Sequence, residues 1–183
     1  MANVMSVSVE ITANLEAIKD FTSRFESCND GKYPQDQTTK GPHIIDEFGA
    51  KADLVIDRIG SKWVKIEEHT DYQEGDTFCD FKLESAWYPP SDMLKEMARQ
   101  IFTIDPYAQI FGTYIDESFQ PVGALYVELG WNSEGMDIEI YSKEENLEFD
   151  CDADNDNDDY FGEFWEEEVQ PAVDRCLEYV KSI

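Results

Sequence analysis

The sequence predicts an α+β domain in which an antiparallel sheet carries helices packed on one face. Three observations predict it. Runs of alternating apolar and polar residues, the pattern of half-buried strands, come in pairs joined by short polar turns. Stretches with apolar residues at helical spacing separate those pairs. Of the 183 residues, 42% are hydrophobic and 13% aromatic, which supplies one real core and separates the chain from disordered acidic proteins.

The elements follow in order. Val4–Ile11 alternates Val, Ser, Val, Glu and Ile, as a half-buried strand does. Asn14 then caps a helix whose Leu15, Ile18, Phe21 and Phe25 share one face. Asn29-Asp30-Gly31 stops it, and a polar stretch from Lys32 to Lys40 follows. Pro42–Phe48 reads as a short helix, and the apolar Leu54–Ile59 has no clear assignment. Lys62–Tyr72 and Thr77–Trp87 form two strands across a turn at Gln73-Glu74-Gly75-Asp76. Pro89-Pro90-Ser91 opens a helix that turns Met93, Leu94, Met97, Ala98 and Ile101 to the core. Ala108–Ile115 and Gln120–Gly130 make a second hairpin, and Trp131–Gly135 turns into Met136–Tyr141. A last helix runs from about Phe161 to Val180, with Phe161, Trp165, Val169, Val173, Cys176 and Val180 as its apolar stripe. Pro171 marks a kink or a break in it.

That order matches a βαββαβ core of the ferredoxin-like kind. Residues 1–130 are read as this core, and 131–183 as an acidic strand, loop and helix extension packed on the same domain. Within it, Trp63 in Gly60-Ser-Lys-Trp63, Ser85-Ala-Trp-Tyr-Pro-Pro90 ahead of a helix, and Tyr114-Ile-Asp-Glu117-Ser-Phe119 with Gly123 form an ordered set. The set resembles the YubB-type (Api92-like) ferredoxin-like domain carried by bacteriophages and conjugative plasmids, over Ile59 to Tyr126. The resemblance implies a fold and a mobile-element origin, and no activity. The sequence departs from the family pattern in its acidic stretch after Trp131. The tryptophans and Tyr114 are expected to anchor the sheet to its helices; a base-stacking platform would need basic surroundings that the chain lacks.

Charge is the feature that speaks to function. With 41 acidic and 14 basic side chains, the formal charge is −27, against a magnitude of roughly 2–8 that keeps a small domain soluble. Such a charge works against binding nucleic acid or anionic membranes. It is also uneven, because from Asp116 onward 21 acids face only three bases. Glu148, Asp150, Asp152, Asp154, Asp156 and Asp158 fall on every second residue. In an extended chain they would lie on one side, roughly 6.6 Å apart, like phosphates along a strand. Glu163, Glu166, Glu167, Asp174 and Glu178 give the last helix an acidic face opposite its apolar one.

Other chemistries are weaker. A calcium loop fits Asp152, Asp154, Asp156 and Glu163 in part, with Asn157 where Gly is usual and Asp159 where an apolar residue is usual. No metal site is favoured and no cofactor is expected. His43 and His69 are the two imidazoles, and neither sits in a recognisable motif. The chain has no Gly-rich phosphate loop, GxSxG or HExxH, so no enzyme is expected. Cys28, Cys79, Cys151 and Cys176 lack metal-binding or disulfide spacing and read as free thiols. The N-terminus shows no leader and no stretch approaches a membrane span, so a soluble, cytoplasmic protein is expected.

The reading these residues support is a non-enzymatic acidic inhibitor, phage-encoded, that mimics DNA phosphates. Its partner would be a host nucleic-acid-binding defence protein, a restriction or CRISPR nuclease, with no direct contact to nucleic acid or membrane. A homodimer would lengthen the acidic face. The alternative is a calcium-binding or general acidic interaction module unrelated to nucleic acid.

Overall fold

The computed structural model describes residues 3–28, 41–148 and 158–183. Its centre is one antiparallel sheet of six strands in the order β2-β3-β1-β4-β5-β6. The strands are β1 (Val4–Thr12), β2 (Val64–His69), β3 (Phe78–Ala86), β4 (Gln109–Asp116), β5 (Val122–Asn132) and β6 (Gly135–Glu145). Helices α1 (Leu15–Glu26), α2 (Ile44–Phe48), α3 (Val55–Ile59) and α4 (Ser91–Ile104) lie between strands, and α5 (Asp158–Phe164) and α6 (Gln170–Lys181) follow the last strand. The fold class is therefore mixed α+β, as the patterning predicts. Gly130 and Trp131, the junction drawn from sequence, lie inside β5.

Period-two patterning places the main core. Met5, Val7, Val9 and Ile11 on β1 point to one face and are buried, because alternate strand residues share a face. They meet Ile18, Phe21 and Phe25 of α1, Met93, Met97 and Ile101 of α4, and Phe48 of α2 in one cluster. The Asn14 side chain accepts from Ala17 N at 2.9 Å and closes the start of α1, satisfying a donor that has no partner within the helix. Leu15, placed by spacing on the apolar face of α1, is instead 51% exposed. The unassigned Leu54–Ile59 becomes α3, ended by Gly60 at φ +72°. A side chain there would strike Ser91 Oγ at 2.6 Å, so that glycine lets α3 sit against the start of α4.

The single-face arrangement of helices needs correction. Helices α1 and α4 share one face, but α6 covers the other. Its Val169, Ala172, Val173, Cys176 and Val180 pack on Val122 and Ala124 of β5, with Phe111 and Ile115 of β4 beside them. The reason lies in β5, where Val122, Gly123, Ala124 and Leu125 are buried without a break. A strand buried on both faces needs a layer on each side.

Tyr114 is anchored as expected, with its ring across Gly123 on the neighbouring strand, where a Cβ would lie 2.6 Å from the ring. Its hydroxyl donates to Glu144 at 3.2 Å. Burial first, and the Glu144 carboxylate second, hold this phenol well above its ordinary value. The tryptophans do not all follow. Trp87, at φ +70°, is 43% exposed with Lys62 Nζ 5.1 Å from its ring centroid. Among the described residues no helix is long and apolar enough to cross a membrane.

Candidate functional site

The second face of the sheet carries the acidic surface. Its ridge is the terminal helical segment, whose course Pro171 shapes. Proline has no N–H to donate and its ring crowds the carbonyl four residues back. The chain answers with a π turn at Trp165–Val169, where Gln170 N–H reaches back to Trp165 O. A wide turn of this kind is a recurring way to absorb such a misfit. Val169 is thereby kept in the core while Glu166, Glu167 and Glu168 are all exposed. Phe161, assigned to the apolar stripe, is 51% exposed, although its ring lies 6.1 Å from Phe119.

Most of the acids singled out on this helix are where a face opposite the stripe puts them. Glu163, Glu166, Glu167, Asp174 and Glu178 are exposed, and Glu168 joins them. None forms an ion pair within the described residues. Asp174 accepts a hydrogen bond from Gln170 Nε2 at 2.9 Å. The segment's two cations are engaged elsewhere. Arg175 clamps Glu145 of β6 at 2.6 and 3.2 Å, and Lys181 Nζ lies 5.3 Å from the Phe111 ring centroid. The hydrogen bond from Arg175 holds the Glu145 carboxyl below its usual value.

The alternating row is only partly within reach. Glu148 is exposed just after β6. Asp150, Asp152, Asp154 and Asp156 lie outside the described residues, and with them most of the calcium-loop ligands. Asp158 begins α5, so the two-residue alternation does not continue through it as extended chain. Among the described residues no three His, Cys, Asp or Glu side chains gather as metal ligands would.

A second set of acids was not singled out from sequence. Around the C-terminal end of α6 the same sheet face carries further acids. Cross-strand register there sets Glu10 opposite Asp80 and Glu128 opposite Glu139. Phe111 and Tyr126 lie between them, stacked at 5.0 Å between centroids and 25° between planes, and Tyr141 stands opposite Tyr126. The signal was available one strand at a time, since Glu10 and Glu128 each occupy the outward phase of an alternating strand. The pairing across strands was not.

On the acidic face Lys82 pairs with Glu68 at 2.9 Å and Lys65 with Glu84 at 3.9 Å, both away from the terminal helix. The helices of the opposite face treat charge differently. Arg24 pairs with Glu47 at 2.5 Å, Arg58 with Asp46 at 3.1 Å, and Arg99 with Glu96. An open hollow of about 530 Å³ beside them is lined by both signs, including Asp46, Glu96, Lys51 and Arg58. His43 caps α2 by accepting from Ile45 N at 3.2 Å, and His69 meets the edge of Phe25. Burial pushes the Cys28 and Cys79 thiols up to about 12, which keeps them protonated and unreactive. No family model, curated protein or solved structure matches this chain.

Proposed function

We propose that this protein is a non-enzymatic acidic inhibitor whose carboxylates stand in for DNA phosphates in the binding channel of a host nucleic-acid-binding defence protein. One observation carries the reading. Six exposed acids of the last helical segment, Glu163 through Glu178, project from one side of the sheet without ion pairs among the described residues. Acids left unpaired in this way repel one another and gain when a cationic surface arrives. A nuclease that grips phosphates with Lys and Arg presents such a surface. Electrostatic steering then makes association fast and steeply salt-dependent.

The accompanying reading of the core is ferredoxin-like. Strand order β2-β3-β1-β4 with α1 and α4 in the crossovers supports it, since the split βαβ arrangement has that order. The resemblance to the YubB-type domain points the same way and to a mobile-element origin, which would place the action in the host cytoplasm. The acids after Trp131 are then what this chain adds to that core.

The test uses two bacterial strains, one carrying a restriction system and one a CRISPR nuclease, each challenged with phage that it normally excludes. Expression of the protein is expected to restore plaques in at least one. The variant Glu163→Gln, Glu166→Gln, Glu167→Gln, Asp174→Asn, Glu178→Gln is expected to fold and to lose that effect. Full protection of the phage by the folded variant would overturn the reading.

A further inference from the structure

The two edges of the sheet differ in how they are closed to other chains. At one edge β2 runs for six residues, and its register with β3 shifts between Ile66 and Glu68. A short, irregular strand of this kind blunts an edge. At the other edge β6 runs for 11 residues, Gly135–Glu145, in unbroken register with β5. In an antiparallel pair, alternate residues direct their N–H and C=O groups away from the partner strand. Among the described residues no backbone group pairs with that outer side of β6. A long, regular strand with such groups open is a template for another strand.

The side chains of β6 decide which strand can use that template. Asp137, Glu139, Glu144 and Glu145 set four acids beside one base, Lys143, and like charges directly opposite destabilise a pairing. A second copy of β6, laid antiparallel about a two-fold axis normal to the sheet, keeps the same face up. Odd-numbered residues then meet odd ones and even meet even. With the axis at Ile138, Asp137 meets Glu139, and with it at Glu139 that residue meets itself. With the axis at Tyr141, Asp137 meets Glu145, and at Ser142, Glu139 meets Glu145. With the axis at Ile140 no two acids meet. That register sets Asp137 opposite Lys143 and Glu139 opposite Tyr141, each twice by symmetry, and overlaps the strands from Gly135 to Glu145. Asp137 accepts from Asn132 Nδ2 at 3.2 Å, and Lys143 Nζ lies 5.8 Å from the Tyr179 ring centroid. Neither is in an ion pair among the described residues.

We propose that β6 pairs with β6 of a second copy, antiparallel about Ile140, so that two six-stranded sheets join into one. The half-buried Ile140, already packed against the main core, gains its own counterpart as a neighbour. The acids of β6 reject the other alignments, so the edge closes on one symmetric mate instead of growing an open array. Because the axis is normal to the sheet, the acidic terminal helices of both copies stand on the same face as one longer ridge. Each copy carries −27, and salt screens the repulsion between them. Self-association therefore tightens as salt rises, the opposite of attraction to a cationic partner. The inference stands apart from the inhibitor reading, since it needs no nuclease.

Sedimentation equilibrium of the full chain near about 100 μM, in about 0.1 M and about 0.5 M NaCl, reads the association. A dimer is expected, tighter at the higher salt. Lys143→Glu sets an acid opposite Asp137, and Asp137→Lys sets a lysine opposite Lys143. Each is expected to weaken dimerisation at least about tenfold, because the change acts at two symmetric places. The double variant Asp137→Lys, Lys143→Glu restores opposite charges and is expected to dimerise within about threefold of the wild type. Circular dichroism verifies that all three variants fold. A protein monomeric in both salts would overturn the proposal, and so would a dimer indifferent to the single reversals. A double variant as weak as the singles would overturn it too. Tighter association of Asp137→Lys would do the same, since it would put that residue opposite Glu145 in the alignment about Tyr141.

Discussion

The helices on the two faces of the sheet bury apolar side chains alike and handle charge in opposite ways. On the α1/α4 face the two helices together carry five acids and four bases, and the arginines there are tied to Glu47, Asp46 and Glu96. On the other face, residues 158–181 carry eight acids and two bases, both bases engaged with the sheet. The chain can therefore balance charge where charge only supports the fold. Its imbalance is placed, and it is placed over the thinner of the two cores.

The widest separation should come from the cores themselves. Phe48 is fully buried, with the rings of Phe21 and Phe25 at 5.4 and 6.1 Å. Phe48→Ala is expected to cost roughly 3–5 kcal/mol. Val173 lies in the seam under α6 with fewer neighbours to lose, and Val173→Ala should cost about 2 kcal/mol. Urea denaturation of the two variants makes the comparison. Equal losses would mean that the terminal helix is as integral to the domain as α1.

Charge removal should then separate the faces by sign. Asp46→Asn with Glu47→Gln removes the nearest carboxylate from two partly buried arginines, at roughly 0.5–1 kcal/mol each. Neutralising Glu163, Glu166, Glu167, Asp174 and Glu178 should do the reverse and raise stability at low salt. That gain should vanish near 1 M NaCl, where the screening length is about 3 Å. Denaturation midpoints at low and high salt give both numbers. A helix variant less stable than the wild type at low salt would show that these acids have structural partners after all.

Sequence made one face more legible than the other, for a physical reason. β1 alternates cleanly, so its inner residues and the helices that cover them could be read directly. An apolar stripe on a helix shows that it packs and not on which side of a sheet. The deciding signal was in Val122-Gly-Ala-Leu125, an unbroken apolar run that requires cover on both faces. Pro171 pointed to an irregular helix, but a π turn and a kink read alike from one proline. The acidic helix face was legible because it is a pattern within one element. The Glu10–Asp80 and Glu128–Glu139 pairs were not, because they exist only in the register between strands.

The smallest effect probes the ion pair that ties the acidic helix to the sheet. Arg175 on α6 holds Glu145 on β6, and the bond keeps that carboxyl below its ordinary value of 4.5. A carboxyl depressed in the folded state contributes stability above its unfolded value and loses it as pH falls through the folded one. Glu145→Gln should therefore be less stable than wild type at pH 7, with the gap constant down to about pH 5. Below about pH 4 the two stability curves should converge, whatever the protonation of the other carboxylates does to both. The difference between the curves isolates this pair, since every other acid titrates in each protein. Curves that stay parallel as the carboxylates protonate would assign the cost of the substitution to packing and not to the ion pair.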